Sequence, residues 1–271
     1  MVDREAAQLI ANVERVIIGK REAVDLVVTA LLAGGHVLLQ DVPGVGKTML
    51  ARALARSIGG EVSRIQCTPD LLPQDITGSS VVDQRSLELR FVPGPIFANV
   101  VLVDELNRAT PRTQAAFLEP LDEGQVTVDG RTHLLPQPFF LMATLNPAEH
   151  HGIYPLPEGQ LDRFLLGTSL GYPGFDEELQ MLASHVARHP IDDLAPVPEP
   201  ETVVAMAREV RAVHVSEAVR RYALQIVART RAAPGVPHAH APGGLACRGV
   251  IRILLEEVAV SPSVKAGCAR F

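Results

Sequence analysis

Hydrophobic and polar positions change their spacing along the first two thirds of the chain. Residues 4–15 and 21–33 carry apolar side chains at the spacing of amphipathic helices, and a Gly-Gly pair ends the second helix. Because helical segments such as Lys47–Ile58 and Thr110–Glu123 lie between apolar runs, the pattern predicts an α/β fold with a mostly parallel, buried sheet. The predicted strands are His36–Gln40, Glu61–Cys67, Asn99–Asp104, Phe139–Leu145 and a weaker Leu165–Leu170.

Two further segments alternate with the two-residue period of strands and predict β-hairpins inserted between the main elements. One covers residues 87–92, just before a Pro-Gly-Pro break. The other joins residues 126–128 to residues 132–134 through Asp129-Gly130, and Asp-Gly is a strong hairpin turn signal. We therefore expect the two inserts to be β-hairpins rather than crossovers between parallel strands.

After residue 172 the spacing becomes helical, and we predict two domains, an α/β domain at 1–172 and a helical domain at 173–271. Residues 234–244 are rich in Pro and Gly and break any helix. Beyond them the sequence offers one helix, Gly249–Val260, and a polar tail, so the region from about residue 234 is atypical. The helical segments that precede it are 175–189, 201–212 and 216–232.

Composition narrows the function classes. The 271 residues are 47% hydrophobic and only 4% aromatic, with no Trp and a formal net charge of −6, which argues against a nucleic-acid partner. No window approaches the roughly 18 apolar residues of a membrane span. The first residues are polar and acidic, and the three scattered cysteines suggest neither a disulfide framework nor a zinc site. We therefore expect a cytoplasmic protein without a membrane segment.

Candidate chemistry begins after the first predicted strand, where residues 41–48 read DVPGVGKT and lead into a helical segment. A strand, a glycine loop, Lys-Thr and a helix are the parts of a P-loop, whose backbone N–H groups turn toward bound phosphates. Lys47 adds a full positive charge, and Thr48 is placed to ligate Mg²⁺. Asp41 departs from the usual G-x-x-x-x-G-K-[ST] pattern, because it stands where the first Gly is expected.

A second candidate is the apolar strand that ends in two carboxylates, Asp104 and Glu105. Phosphoryl transfer to water needs a metal held over the phosphates and a group that orients the water. Asp104 at the strand end would hold Mg²⁺, and Glu105, pointing the other way, would polarise the attacking water. The pair alone could equally be an acidic turn after a strand, but its combination with a P-loop favours hydrolysis of a nucleoside triphosphate.

Two further polar residues each have a functional and a structural interpretation. Asn146 follows another predicted strand and would reach the γ-phosphate or the attacking water, but it could equally begin an Asn-Pro turn. Arg163 follows a short helical segment and would be most useful against a phosphate that is gaining charge. It could instead pair with Asp162 or Glu158 on the surface. Residue types and spacing leave both alternatives open.

Together these segments resemble the AAA+ ATPases and, within them, the MoxR family. The resemblance covers roughly residues 10–170, and its most specific parts are DLLPQDITG at 70–78 and FVPGPIF at 91–97. The other matching segments are VIIG at 16–19, DVPGVGKT at 41–48, VDELNRA at 103–109, ATLNP at 143–147 and LDRF at 161–164. The resemblance implies a three-layer α/β/α AAA+ core with β-hairpin inserts and a small C-terminal helical lid.

The resemblance also implies the ligands, ATP and Mg²⁺, and roles for individual residues. The implied catalytic residues are Lys47 and Glu105 of the Walker motifs, Asn146 as sensor 1 and Arg163 as the arginine finger. The implied metal ligands are Thr48 and Asp104. The implied nucleotide contacts come from the adenine-side box and the phosphate loop: Ile18, Gly19, Pro43, Gly44, Val45, Gly46, Lys47, Thr48 and Met49.

Because an arginine finger acts on ATP bound by a neighbouring subunit, the resemblance implies a ring, expected to be hexameric. MoxR-like proteins look like chaperones or activators that mature partner complexes, frequently with a von Willebrand factor A-type protein. The family's lid carries a Gly-Ala-Ser-Pro-Arg-like segment with the sensor 2 Arg, and residues 237–248 contain no such segment, so the lid is incomplete or remodelled. Two alternatives stay open: a magnesium-chelatase-like or DNA-handling AAA+ motor, and a nucleotide-binding scaffold with impaired hydrolysis.

Overall fold

The computed structural model describes residues 2–42, 44–83, 88–146, 152–184 and 190–232. The α-helices are α1 (Val2–Glu14), α2 (Arg21–Ala33), α3 (Lys47–Ser57), α4 (Pro73–Thr77), α5 (Pro111–Gln114), α6 (Leu118–Glu123), α7 (Glu158–Leu161), α8 (Phe175–Ser184), α9 (Pro200–Arg211) and α10 (Glu217–Ala232). The strands are β1 (Val37–Gln40), β2 (Val62–Gln66), β3 (Gly78–Val82), β4 (Leu89–Pro93), β5 (Val100–Asp104), β6 (Gln125–Val128), β7 (Arg131–Leu134), β8 (Phe140–Leu145) and β9 (Leu166–Thr168). Short 3-10 segments are Leu106–Arg108, Ala115–Phe117 and Pro190–Asp193.

The five strands predicted from apolar runs form one parallel sheet, in the order β2-β5-β8-β1-β9. All five residues of β5 and five of the six in β8 are buried, as expected of parallel strands covered on both faces. Each strand is one to three residues shorter than its predicted run. Because the strands are parallel, their carboxyl ends lie at one edge of the sheet, where the loops that follow them meet.

The two faces of the sheet belong to separate hydrophobic cores. Along β5, Val100 and Leu102 join the core that includes α1, α2 and α3, whereas Val101 and Val103 join the opposite core. This alternation is the two-residue period of a strand, and burying each such side chain contributes about 1.5–3 kcal/mol. Helices on one face and helices and hairpins on the other make three layers, which confirms the predicted α/β/α class.

The first hairpin pairs β4 with β3, a strand that the sequence pattern did not reveal. The register sets Gly78 opposite Pro93 and Val82 opposite Leu89. The backbones come so close that a Cβ at Gly78 would lie 2.2 Å from the carbonyl oxygen of Val92. The Gly-Ser-Ser residues at its start have little strand propensity. β3 is therefore determined by its pairing with β4 and by this close approach, not by its own sequence.

The second hairpin is confirmed at the predicted place. β6 and β7 pair antiparallel, with Val128 opposite Arg131 across a two-residue turn. Asp129 and Gly130 both have positive φ, 51° and 74°. Two positive φ values are the signature of the type I′ turn that Asp-Gly favours, because its twist matches that of the flanking strands.

The helix predicted over 110–123 is instead three short pieces, α5, a 3-10 turn and α6. Thr110 is the N-cap, as predicted, and its Oγ1 accepts a hydrogen bond from the backbone N–H of Thr113 at 3.3 Å. The continuous helix fails at Pro120, which has no N–H to donate to the carbonyl of residue 116. In the structure Pro120 lies in the first turn of α6, where that N–H is not needed.

The helical segments after residue 172 are present as α8, α9 and α10 within the described residues. Val203 and Met206 of α9 are buried in the core shared with α1, α2 and α3. The end of the segment predicted at 175–189, the helix predicted at Gly249–Val260 and the tail from about 234 lie outside the described residues. The domain boundary near residue 172 stays a prediction. None of the helices in the described part of the chain has the length and apolar character that crossing a membrane requires.

Two buried polar residues stand at the amino ends of the central strands. Before β5, Asn99 accepts a hydrogen bond from the backbone N–H of Glu61 at 3.0 Å and donates to the carbonyl of Pro138 at 3.2 Å. Before β1, Nδ1 of His36 accepts from the N–H of Leu141 at 3.1 Å, and Nε2 lies 3.2 Å from the carbonyl of Leu121. Burial lowers the pKa of His36 to about 4, so its ring is neutral and Nε2 carries the proton.

Candidate active site

The phosphate loop connects β1 to α3 at the carboxyl edge of the sheet. Gly44 and Gly46 have φ of 87° and 94°, a conformation that glycine adopts readily because it has no Cβ. Gly46 is the N-cap of α3, whose first N–H groups have no partner within the helix and attract anions. Nζ of Lys47 donates to the carbonyl oxygens of Asp41 and Val42, both at 3.1 Å. The loop thus folds back around its own ammonium group.

Asp104, the last residue of β5, is buried and tightly hydrogen-bonded. Its Oδ2 accepts from Nε and Nη2 of Arg64 at 2.9 and 2.7 Å, because β2 and β5 are adjacent. Its Oδ1 accepts from the hydroxyl of Thr144 on β8, the neighbour on the other side, at 2.9 Å. A cation and a hydroxyl therefore hold the two oxygens of this carboxylate in one orientation.

Glu105 leaves the strand in a left-handed conformation, with φ 56° and ψ 49°. For a residue other than Gly this backbone costs on the order of 1–3 kcal/mol, and such strain gathers at functional sites. The N–H of Glu105 donates to the hydroxyl of Thr144 at 2.8 Å. Its Oε2 accepts from Nε2 of Gln66 at 2.9 Å and from Nη1 of Arg108 at 3.1 Å. The carboxylate is therefore turned toward the end of β2.

These groups line one cavity of about 350 Å³ between the phosphate loop and the ends of β2, β5 and β8. It contains the predicted Lys47 and Glu105 together with Asn146, which is itself buried. It also contains three residues that sequence reasoning missed, Arg64, Gln66 and Thr144, since strand order alone brings them to this edge. The full lining is Gly44, Gly46, Lys47, Thr48, Met49, Arg64, Gln66, Asp104, Glu105, Thr144 and Asn146.

The same cavity could hold Mg²⁺ only with the help of a ligand. Thr48 contributes a hydroxyl and Asp104 a carboxylate, and these hard oxygen donors suit Mg²⁺. Among the described residues, no group of three or more His, Cys, Asp or Glu side chains lies close enough together to bind a metal ion. Magnesium usually combines one or two protein ligands with phosphate oxygens and water, so the donor set fits a metal brought in with a nucleotide.

Some predicted site residues lie elsewhere or are not described. Among the predicted site residues, Ile18, Gly19, Val45 and Arg163 do not line this cavity, and Pro43 lies outside the described residues. Gly19 packs against the carboxylate of Glu177 on α8. Nε of Arg163 forms an ion pair with Asp122 of α6 at 2.6 Å, an acid that the sequence did not suggest as its partner.

Cys67 follows β2 directly, close to the two acids. Its backbone N–H donates to the carbonyl of Asp104 at 2.9 Å, and its side chain is fully buried. Burial, together with the nearby charges of Asp104 and Glu105, raises the pKa of this thiol to about 12. The thiol is therefore protonated and unreactive, as expected of a structural cysteine. Cys247 and Cys268 lie outside the described residues.

The comparisons with known proteins agree with this geometry. Residues 36–166 match the sequence profile of the "ATPase family associated with various cellular activities (AAA)". The chain is 47% identical to "Chaperone MoxR1" of Mycobacterium tuberculosis over 173 residues, 64% of this chain and 46% of that protein. It is 30% identical to "Protein MoxR" of Paracoccus denitrificans over 265 residues, 93% of this chain and 75% of that protein. This chain belongs to the MoxR family of AAA+ ATPases.

The fold of this MoxR-family chain also matches a solved structure. A crystal structure of a candidate ATPase from Cytophaga hutchinsonii has a TM-score of 0.83 and 31% sequence identity, covering 98% of this chain and 84% of that one. The segment that matches the AAA profile runs from just before β1 to the first residue of β9. It contains every residue of the cavity, so the relation to MoxR proteins includes the candidate site itself.

Proposed function

We propose that this MoxR-family protein binds ATP with Mg²⁺ at the carboxyl edge of its sheet and hydrolyses it to ADP and phosphate. One observation carries the proposal: Lys47, Thr48, Asp104, Glu105 and Asn146 line a single cavity. They lie at or just after the ends of β1, β5 and β8, which are neighbours in the sheet, so their convergence depends on the strand order. A phosphate-binding cation, oxygen ligands for a metal and a base for water are what phosphoryl transfer requires.

For binding, the glycine loop and Lys47 would surround the phosphates. Lys47 would exchange the carbonyl oxygens that it now contacts for phosphate oxygens, which carry full charge. Thr48 and Asp104 would hold Mg²⁺, which neutralises charge that develops on the phosphates. The guanidinium of Arg64 now occupies one oxygen of Asp104, so it has to give way or share that oxygen.

For hydrolysis, Glu105 would accept the proton of the attacking water. Its left-handed backbone turns the side chain away from the strand direction, and Gln66 and Arg108 hold one carboxylate oxygen. Asn146, at the end of the neighbouring β8, would orient the water or the γ-phosphate. The base and the orienting amide would then approach the transferred phosphoryl group from adjacent strands.

We further propose that the active form is a ring, expected to be a hexamer, in which Arg163 acts on nucleotide in the neighbouring subunit. Arg163 would then exchange its ion pair with Asp122 for the phosphate charge. The M. tuberculosis relative is named a chaperone. For this chain we propose ATP-driven remodelling or maturation of partner protein complexes in the cytoplasm, with a von Willebrand factor A-type protein as the partner to test.

The decisive experiment separates binding from hydrolysis. Glu105→Gln keeps the size of the side chain but removes its basicity, so phosphate release from Mg-ATP should fall roughly 10²–10⁴-fold. Affinity for fluorescent mant-ATP should stay within a few-fold of wild type. Glu123→Gln is the matched control, because Glu123 contacts Gln125 at the end of α6 and does not line the cavity. Equal phosphate release by wild type and Glu105→Gln would refute the assignment.

A second candidate function is a nucleotide-binding scaffold that hydrolyses ATP poorly. The observation in its favour is the sequence of residues 237–248, which contains no sensor 2 segment. Wild-type protein that binds mant-ATP tightly but releases no phosphate at saturating Mg-ATP would favour the scaffold. Measurable turnover that depends on Glu105 would favour the hydrolase.

A further inference from the structure

Asp41, at the start of the phosphate loop, makes contacts that a P-loop glycine could not make. Its side chain is buried, with 5% of the residue exposed. One carboxylate oxygen accepts from the N–H of Leu170 at 2.6 Å, and the other accepts from the N–H of Gly171 at 3.0 Å. Hydrogen bonds to a carboxylate are roughly twice as strong as neutral ones. The acid therefore fastens the loop to a segment 129 residues further along the chain.

This contact continues the sheet beyond its last backbone pair. β1 and β9 pair from Val37 with Leu166 to Leu39 with Thr168, and the same register sets residue 41 opposite residue 170. Backbone pairing stops before that point, and the carboxylate supplies the acceptors instead. Gly171 then has φ of 63°, so the chain turns there and leaves the sheet. Asp41 thus holds the chain that follows β9 just before it turns away from the sheet.

The segment 170–174, which we call the exit segment, leads from β9 to α8. Its other hydrogen bonds involve exposed side chains or the start of α8: Nζ of Lys20 donates to the carbonyl of Tyr172 at 2.7 Å, and Gly174 donates to the carboxylate of Glu177 at 2.7 Å and accepts from the N–H of Glu178 at 2.9 Å. Tyr172 itself is 71% exposed. Leu170 is buried in the core beside α1, α2 and α3, but none of residues 171–174 is buried. Beyond Leu170 the exit segment therefore depends on polar contacts for its position, and the carboxylate of Asp41 holds the backbone where that part begins.

Asp41 also contacts the catalytic machinery, through its backbone. Its carbonyl oxygen accepts from Nζ of Lys47, while its carboxylate holds the exit segment. On the proposed function, Lys47 turns from this carbonyl to the phosphates when nucleotide binds. That change removes a contact at residue 41, whose side chain is joined to the exit segment by two charge-assisted hydrogen bonds.

We propose that Asp41 is a positioning residue that couples occupancy of the phosphate loop to the exit segment. Nucleotide binding at Lys47 changes the backbone at Asp41, and the carboxylate passes the change to residues 170 and 171. The inference rests on the proposed nucleotide binding and adds a route from the phosphate loop to the start of α8. In this coupling the nucleotide phosphates act on Lys47, and the result is a change in the position of the exit segment.

The test is amide hydrogen exchange in the exit segment, with and without Mg-AMP-PNP. Asp41→Gly restores the usual P-loop residue and removes both acceptors, so without nucleotide the amides of 170 and 171 should exchange at least roughly tenfold faster. Adding Mg-AMP-PNP should change exchange at these amides in wild type but not in Asp41→Gly. Asp41→Asn keeps one acceptor oxygen, so one of the two amides should stay protected.

Lys20→Ala is the matched control, because it removes a contact of the same segment but leaves Asp41 and the phosphate loop intact. It should keep the response to Mg-AMP-PNP at 170 and 171. An unchanged response in Asp41→Gly, with the analogue bound, would overturn the coupling. Failure of wild type to bind Mg-AMP-PNP would instead refute the proposed function. If Asp41→Gly does not fold, Asp41→Asn decides, because equal protection of both its amides contradicts the proposal.

Discussion

The buried polar residues at the amino edge of the central sheet and Asp104 at its carboxyl edge use their hydrogen bonds in opposite ways. At the amino edge, His36 and Asn99 bond to backbone groups of neighbouring segments. At the carboxyl edge, Asp104 bonds to the side chains of Arg64 and Thr144. Backbone partners cannot leave without disturbing the fold, whereas side-chain partners can turn aside for a ligand. His36 and Asn99 therefore serve stability, and the group around Asp104 is suited to chemistry.

The largest effect on stability is expected from Asn99→Ala at the amino edge. The change leaves the N–H of Glu61 and the carbonyl of Pro138 without their partner. Two unsatisfied groups should lower the free energy of unfolding by about 3 kcal/mol, measured by urea denaturation. Because Asn99 is remote from the cavity lining, affinity for mant-ATP at a temperature where the variant is folded should not change. A loss of affinity in folded protein would break the distinction between the edges.

The matching change at the carboxyl edge is Thr144→Val, which keeps the side-chain shape but removes the hydroxyl. That hydroxyl joins Asp104 to the backbone of Glu105. Without it Asp104 is held by Arg64 alone and the N–H of Glu105 loses its acceptor, so both acids can shift. Phosphate release should then fall roughly 10–100-fold, because misplacing catalytic groups by about an ångström has that cost. Thr132→Val on the exposed second hairpin is the matched control. Equal activity of both variants would show that the bridge is not needed.

The smallest predicted effect is the pH dependence that His36 imposes. Its folded-state pKa of about 4 lies below the value of 6.5 for a free side chain, so the unfolded chain takes up the proton first. The contribution to stability is complete above about pH 7 and is lost as the pH falls from 6.5 toward 4. Between about pH 7.5 and pH 5 the free energy of unfolding should drop by about 2 kcal/mol from this group alone.

His36→Gln provides the reference for that measurement. Glutamine can still donate and accept a hydrogen bond but does not titrate. Urea denaturation of both proteins across the pH range should therefore show a shallower decline in the variant. Identical declines would mean that His36 does not stay neutral in the folded protein.

Local sequence patterns were enough to predict the five strands of the sheet, the glycine loop between β1 and α3 and the second hairpin. Each depends on neighbouring residues: apolar runs for the strands, glycines before Lys47 for the loop, and Asp129-Gly130 for the turn. The pattern failed for the helix at 110–123, where Pro120 restarts the helix, and for β3, which pairing with β4 defines. The break in the helix depends on the backbone N–H that Pro120 lacks, and β3 depends on close packing against β4. Neither cause leaves a periodic pattern in the sequence.

The candidate site was predictable only in part for the same reason. Lys47 and the acids after β5 belong to short motifs, whereas Arg64 and Thr144 reach Asp104 across 40 residues through strand order. The partner of Arg163 is likewise distant in sequence, since Asp122 on α6 lies 41 residues earlier in the chain. Asp41 departs from the P-loop pattern in the sequence itself, but its bonds to residues 170 and 171 depend on the β1–β9 register.

In the proposed function, nucleotide binds at the carboxyl edge of the sheet, and its affinity depends on the side chains there. Isothermal titration of Mg-AMP-PNP into wild type, Lys47→Ala and Asn99→Ala tests it most directly, at a temperature where all three are folded. We predict that Lys47→Ala loses at least roughly 100-fold in affinity, since it removes the cation that contacts the phosphates, while Asn99→Ala binds like wild type. Unchanged binding by Lys47→Ala would contradict the account.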